Sequence, residues 1–516
     1  MINMKKRGVP SNIRHSKRNL TTPVDIKSDS VPEDKLDTSL DENTKTLKSF
    51  FGDSFDLLIK NTTINGINAV FAALDGMYNA LLASSAIIKP VSQINFACTE
   101  AAALMEYIKE NVVWECDIKT SATIADACER LISGCMLLFL DGADYALAFS
   151  VQGYPKRGVE KPDTETQENG SEEGFADMFK DNVTLVRRRI KTPFVRFETT
   201  TVGKAANCSV CICYHAKRAN SKIVESVKKT LEGIKLDIVP GSAALRPFFE
   251  GRRLSFFSCV GTTERPDVFA AKISEGKVGL IVDGTPHALI LPYLFIEHFH
   301  TLDDYLSRPY YTLVARMLKI ISFFVAIFLP GIYVAVGTFH QEIFPSAVIY
   351  EIFSSIQNTP FPLVVESLVI HFIYEIVREA GLRMPKSLGH TVSIVGTLVI
   401  GDAAVRAGLV CAPMLIVLAI TTVCSSVVPS LHEPSSVLRL IFIILGGVAG
   451  LYGIMLGFLI VITDICSLSP FGIPYTSPLS PFDIYASRDS VAFFGWKNVG
   501  GRFMSIQNLR GSEHNE

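Results

Sequence analysis

Six ionisable residues lie in or beside stretches too apolar to be an ordinary surface. Glu366, His371, Glu375 and Arg378 mark the run Phe361 to Ile376, and Asp402 and Arg406 interrupt the run Thr391 to Val428. His371, Glu375 and Arg378 follow one another at spacings that share one helical face. Charged groups at membrane depth face a bundle interior or an aqueous path. Two uses fit the first group. Its acids attract cations, or Glu366 and Glu375 pair inside the membrane with His371 and Arg378. Two uses also fit Asp402. It lines a path, or Gly401-Asp402 and Arg406 form a short interfacial loop between ordinary spans.

The elements that must carry these residues follow from apolar length. A helix needs roughly 20 residues to cross a bilayer. Leu318 to Phe339 is one such span, interrupted by Pro330-Gly331. Phe361 to Ile376 is shorter. Thr391 to Val428 is about twice the length of one span. It makes two crossings, or one crossing plus a broken or re-entrant piece covered by protein or water. Val437 to Ile462 reads as one clean span whose glycines allow close helix packing. Pro292 to His300 is too short to cross and reads as interfacial, anchored by Tyr293, Phe295 and Phe299. Arg308, Arg316 and Lys319, then Arg378, Arg383 and Lys386, then the basic tail, share one side if there are four crossings and the long run counts once.

The chain has 516 residues, 48% of them hydrophobic, and a net charge of −2. Its mean hydropathy of +0.30 exceeds that of an ordinary soluble protein. No basic stripe interleaved with aromatics indicates nucleic acid. No Walker loop, zinc-protease motif or nucleophile elbow with its context indicates an enzyme. No cofactor or metal site is expected. Cys208, Cys211 and Cys213 lack a second ligand cluster, and Cys211 and Cys213 suit strand packing better than metal. The eleven cysteines form no evident disulfide framework, which fits a reducing compartment.

Composition divides the chain into a disordered tail (1–45), a first α/β subdomain (46–152), a second (153–300), a transmembrane domain of about four to six segments (301–468) and a cytoplasmic tail (469–516). The two subdomains echo each other. LLFLDGADYALAF (Leu137 to Phe149) aligns with GLIVDGTPHALIL (Gly279 to Leu291), and each copy follows a helical segment. The Asp-Gly pairs suit hairpin turns. A helix over Gly174 to Lys191 ends in Arg187, Arg188 and Arg189. These can touch a neighbouring subunit or lipid head groups, or simply form a salt-bridged helix end. No secretory signal is apparent at the start, so the N-terminal domain is expected in the cytoplasm. The fold class expected is an α/β N-terminal domain of two related subdomains plus an all-α polytopic transmembrane domain with a broken or re-entrant helix.

Several stretches carry a resemblance. TTERPDV (Thr262 to Val268), EGKVGLIVDGTP (Glu275 to Pro286), LPGIYVA (Leu329 to Ala335), FHQEIFP (Phe339 to Pro345), REAGLRMPKSLGHTVSIVGTLVIGDAAVRAGLV (Arg378 to Val410) and FGIPYTSP (Phe471 to Pro478) are similar to the A subunit of GerA-type spore germination receptors. The stage V sporulation AF proteins share these motifs. The resemblance implies an integral protein of the inner membrane of the bacterial endospore, with its N-terminal domain on the spore-core side. It implies a transporter-like B subunit and a lipoprotein C subunit as partners. It also implies a homo-oligomeric ring in membrane lipid that conducts monovalent cations once germinant binds the partner. In such a ring, Ser393, Val395, Gly396, Thr397, Val399, Gly401 and Asp402 are the candidate pore-lining residues, and Glu366, His371, Glu375 and Arg378 the candidate charge network. Many members carry an uncharged residue at the position of Asp402, so it tunes this member rather than serving a common mechanism. A secondary transporter and a non-conducting scaffold are the alternatives.

Overall fold

A computed structural model describes residues 31–94, 100–113, 116–153, 162, 165, 170–250, 255–343, 359–384, 401–482, 486–490, 493, 506 and 509–514. Two antiparallel five-stranded sheets dominate its first half. In the first, β1 (Leu57–Ile64), β2 (Ile67–Leu74), β3 (Ile118–Ser121), β4 (Met136–Leu140) and β5 (Ala146–Phe149) lie in the order β1-β2-β4-β5-β3. In the second, β6 (Val195–Val202), β7 (Cys208–His215), β8 (Gly261–Thr263), β9 (Val278–Val282) and β10 (Ala288–Leu291) lie in the order β6-β7-β9-β10-β8. The topologies are the same. The central strands β4 and β9 are buried at every position, as near-continuous apolar strands covered on both faces should be.

The echo extends into hydrogen bonds that no alignment of apolar residues reveals. Helix α1 (Leu40–Phe51) leads into the first sheet, and α2 (Ile124–Ile132) packs on it; α3 (Phe179–Arg189) leads into the second. Asn43 on α1 brackets Asp37, accepting from its N–H at 2.9 Å and donating to its carbonyl at 2.6 Å. Asn182 on α3 brackets Ala176 in the same way, at 2.7 and 2.6 Å. Asp141 accepts from the Leu40 N–H at 3.4 Å, and Asp283 from the Phe179 N–H at 3.3 Å. Each Asp-Gly turn therefore also caps the helix that opens its own sheet, satisfying a donor the helix cannot pair internally. Gly142 and Gly284 take φ of +92° and +78°, the region where a side chain would be strained.

Order begins before the expected boundary at residue 45. Leu36 is buried, its N–H donates to the Ala122 carbonyl, and α1 starts at Leu40. Polar composition hid a short apolar anchor, Leu36 with Leu47 and Phe51, in the same core as α2. The helix before the arginines is also shorter than expected, Phe179–Arg189.

The second half is helical: α4 (Ser221–Glu232) and α5 (Pro266–Ser274) still belong to the second sheet, and then α6 (Pro309–Phe339), α7 (Leu363–Arg383), α8 (Ala412–Val427) and α9 (His432–Ser467) form a bundle. Among the described residues, two helical segments are long and apolar enough to cross a membrane by length and composition, Pro309–Phe339 and Pro429–Ser467. Pro330 does not interrupt α6, which stays helical through it. The expected single span Val437 to Ile462 is instead two helices. Gly450 has φ +61° and ψ −148°, which no helix contains. Phe328 lies 4.5 Å from the Phe442 ring and 5.5 Å from the Phe458 ring. Those two residues would stand about 24 Å apart on a straight helix. The chain thus folds back at Gly450 as a hairpin without a loop. Both of its feet rest on the N-terminal domain: Ser430 Oγ lies 3.2 Å from His298 Nδ1, and Asp464 accepts from Ser255 Oγ at 2.9 Å. The tip lies beside Phe339 and His340 at the far end of α6. Glycine explains both features. Elsewhere on the hairpin, a Cβ on Gly446 would come within 2.4 Å of the Gly331 carbonyl oxygen, so the two backbones touch.

In Pro292 to His300 the aromatic rings pack inside the chain. Phe299 is buried, and the rings of Phe295 and Phe299 pack edge-on with each other and with Phe323 on α6. The segment is the joint between sheet and bundle. The C-terminal stretch joins it: Tyr475 donates to the Ser258 carbonyl, and Ile473 lies in the core of the second sheet.

Candidate functional site

The four candidate charge-network residues all lie on α7, which packs against α8 and α9. Helix α7 runs from the far end, where Leu363 packs on Gly337, back toward the N-terminal domain, where Glu375 accepts from Ser436 Oγ at 2.5 Å. Helix α8 starts beside Tyr333 and Glu366 and runs the same way.

The four network residues do not form one chain of contacts. Glu366 is fully buried and accepts from the Cys411 N–H through Oε1, while Oε2 has no partner among the described residues. It thereby caps α8, whose N-terminal positive dipole suits a carboxylate. Tyr333 and Cys411 complete that corner, O to S at 3.7 Å. His371 is buried lower on α7. Glu375 and Arg378 pair loosely at 3.8 Å, as i,i+3 spacing allows. Glu375 and Arg378 thus lie near enough to pair, and no contact joins Glu366 to His371 among the described residues.

Sequence reasoning missed Arg439. It sits within the run read as a clean span and is fully buried, with Nε donating to the Ala326 carbonyl at 2.8 Å. The signal was present, since a lone arginine in an apolar run is a functional candidate by itself.

Of the candidate lining residues, Ser393, Val395, Gly396, Thr397 and Val399 fall outside the described residues. Gly401 and Asp402 lie in helical residues 401–406, and the chain turns at Gly408 with φ +66°. Gly401 is buried against Leu415. Asp402 is exposed and pairs with Arg406 one turn on, at 2.9 Å. Within one chain its charge is thus offset by its neighbour.

A family model described as "Bacillus/Clostridium GerA spore germination protein" matches residues 45–502. The chain belongs to the GerA spore germination protein family. It is 34% identical to "Spore germination protein KA" of Bacillus subtilis (strain 168), over 89% of this chain and 85% of that one. It is 36% identical to the "Uncharacterized membrane protein YfkQ" of the same organism, over 74% of each. Among solved structures, the N-terminal domain of the A subunit of the Bacillus megaterium spore germinant receptor GerK3 matches at 27% identity and a TM-score of 0.40, over 51% of this chain and 99% of that one.

In this GerA-family chain the arginine block divides its roles. Arg187 is fully buried and cannot meet lipid or another subunit. Its Nε donates to Asp56 Oδ2 at 3.0 Å and Nη2 to Asp56 Oδ1 at 3.1 Å, and Nη1 donates to the Val195 carbonyl at 3.0 Å. The guanidinium also stacks over Phe197 at 4.6 Å. Burial demanded such partners, because an unpaired interior charge is costly. Arg188 and Arg189 share Glu173 at 2.9 and 2.8 Å and remain partly exposed. Among the described residues, no cluster of three or more His, Cys, Asp or Glu is arranged for a metal ion. Cys211 and Cys213 lie in the second core, where burial pushes both thiols up.

Proposed function

We propose that the chain is a membrane-embedded subunit of a nutrient-germinant receptor, forming a homo-oligomeric ring that conducts monovalent cations when germinant binds a partner subunit. Family membership over residues 45–502 carries this reading. The bundle supports the membrane placement. Its outward side chains include Phe372, Ile376, Val423, Val448, Leu459 and Ile460, all exposed. An apolar face of that extent suits lipid or a neighbouring copy rather than water. The basic residues of α6 and α7 then mark the cytoplasmic, spore-core side with the N-terminal domain. A transporter-like B subunit and a lipoprotein C subunit are the expected partners, in the inner membrane of the spore.

One chain has little room for a pore of its own, and a symmetric ring supplies one. In that ring the small and β-branched residues Ser393, Val395, Gly396, Thr397 and Val399, with Gly401, form the constriction. Asp402 contributes charge at its mouth only if the ring separates it from Arg406. The Gly450 break also fits a transporter, where discontinuous helices frame a substrate. Cysteine substitution along 391 to 404, with a water-soluble thiol reagent added during cation efflux, distinguishes the two. Blocked efflux at successive helical positions fits a ring-lining path. Substrate-protected labelling without ion efflux fits a transporter.

A further inference from the structure

Besides Glu366 Oε2, five buried polar atoms on three helices of the bundle lack a hydrogen-bond partner among the described residues: Arg439 Nη1 and Nη2, His371 Nδ1, Ser425 Oγ and His432 Nε2. Arg439, His371 and Ser425 are 0%, 4% and 4% exposed. Buried polar groups nearly always have partners, so several orphans in one place call for a common explanation. Three of the four residues meet at one helix contact. The Ser436 hydroxyl on α9 donates to Glu375 on α7, with His432 and Arg439 one turn to either side of Ser436 and His371 one turn before Glu375. Ser425 on α8 adjoins Cys424, which the Arg439 charge reaches. The bond from Arg439 Nε to the Ala326 carbonyl fixes the guanidinium plane against α6. Both Nη groups are then left for something other than α6.

The local charges do not balance. Arg439 and Arg378 bring two positive charges, and Glu375 is the carboxylate that both feel. Glu375 already accepts from Ser436 and pairs with Arg378. Glu433 is exposed at the helix foot. Removing water from a guanidinium without a counter-charge is strongly unfavourable. A planar fork with two free Nη groups, a hydroxyl and imidazole nitrogens suits a halide or a carboxylate.

We propose that Arg439, His371, Ser425 and His432 form a binding site for a small monovalent anion, a halide or a carboxylate, enclosed by α7, α8 and α9. The anion neutralises Arg439 and ties the three helices together, so it stabilises the bundle.

The test uses the purified full chain in detergent at constant ionic strength, exchanging sodium gluconate for sodium chloride or sodium acetate. A saturable rise in apparent Tm on the order of 2 °C is expected with the small anions. Arg439→Met should remove that rise. Ser425→Ala, a milder change, should keep the fold and raise the half-saturating anion concentration about tenfold. A Tm that is the same in all three salts overturns the site, because solvent then satisfies these groups. A response retained at full strength in both variants also overturns it. A rise seen with added phosphatidylglycerol in gluconate, and with neither small anion, overturns it in favour of a lipid head group.

Discussion

Arg187 closes a two-pronged pair on Asp56, Nη2 to Oδ2 at 2.8 Å, and joins the helix before the second sheet to the turn just ahead of β1 in the first. Both side chains are removed from water. The two halves are therefore pinned by this buried charge pair as well as by the more exposed Lys180–Asp75 pair at 3.0 Å. Asp56→Ala should leave the guanidinium buried and alone and cost about 3–5 kcal/mol. Replacing the pair together, Asp56→Leu with Arg187→Met, should cost less than the single change. Denaturant unfolding of the full chain in detergent compares them, and equal losses would show that the pair is not coupled.

The contact of α6 with the hairpin allows no side chain. Gly446→Val places atoms where the Gly331 carbonyl already sits, and should destabilise the bundle by about 1–3 kcal/mol. Gly381 on α7 has nothing near its missing Cβ. Gly381→Ala should be neutral or stabilise by up to about 1 kcal/mol. Thermal melts of both variants in detergent decide this, and a Gly446→Val protein as stable as the parent would mean that the helices do not meet there.

Acid should loosen the joint between sheet and bundle. Burial lowers His298 to about 4 from its ordinary 6.5 and lowers His300 as well. The unfolded chain then takes up more protons than the folded one between about pH 6.5 and 4, so stability falls as pH drops through that window. Burial alone would raise Glu297, but Lys272 and Lys277 outweigh it and hold the carboxyl well below its usual range. Its contribution is present above about pH 4.5 and is lost below it. His298→Asn should flatten the slope between pH 6.5 and 4 while leaving the loss below 4.5. Tm measured against pH reports both parts, and an unchanged upper slope would remove His298 as its source.

The two α/β halves were legible because the Asp-Gly hairpins repeat in spacing and apolar pattern. The helix caps made by Asp141 and Asp283 were not, since one aspartate can serve a turn and a cap without any change in sequence. The membrane-like runs were legible as length, but the hairpin at Gly450 was not. Gly446, Gly447, Gly450, Gly453 and Gly457 look alike in a row, and only packing decides which one takes a positive φ. Arg187 read as part of a basic surface block because Asp56 lies 131 positions away. Arg439 was hidden by the apolar average around it. Ile473 and Tyr475 were visible within the FGIPYTSP stretch, but their packing on the second sheet and its joint was not, because the proline-rich composition around them resembles a solvated tail.

The central claim is that this chain conducts cations as a ring. The most direct measurement reconstitutes the purified full chain into liposomes, with and without its B and C partners, and records potassium efflux alongside particle stoichiometry. The account predicts a multi-subunit ring. Efflux should be low in the closed complex, rise when germinant is added with the partners present, and rise without germinant when Val395 or Val399 is reduced to alanine. Correctly folded, inserted protein that stays monomeric, or rings whose liposomes hold their potassium under every one of these conditions, would contradict it.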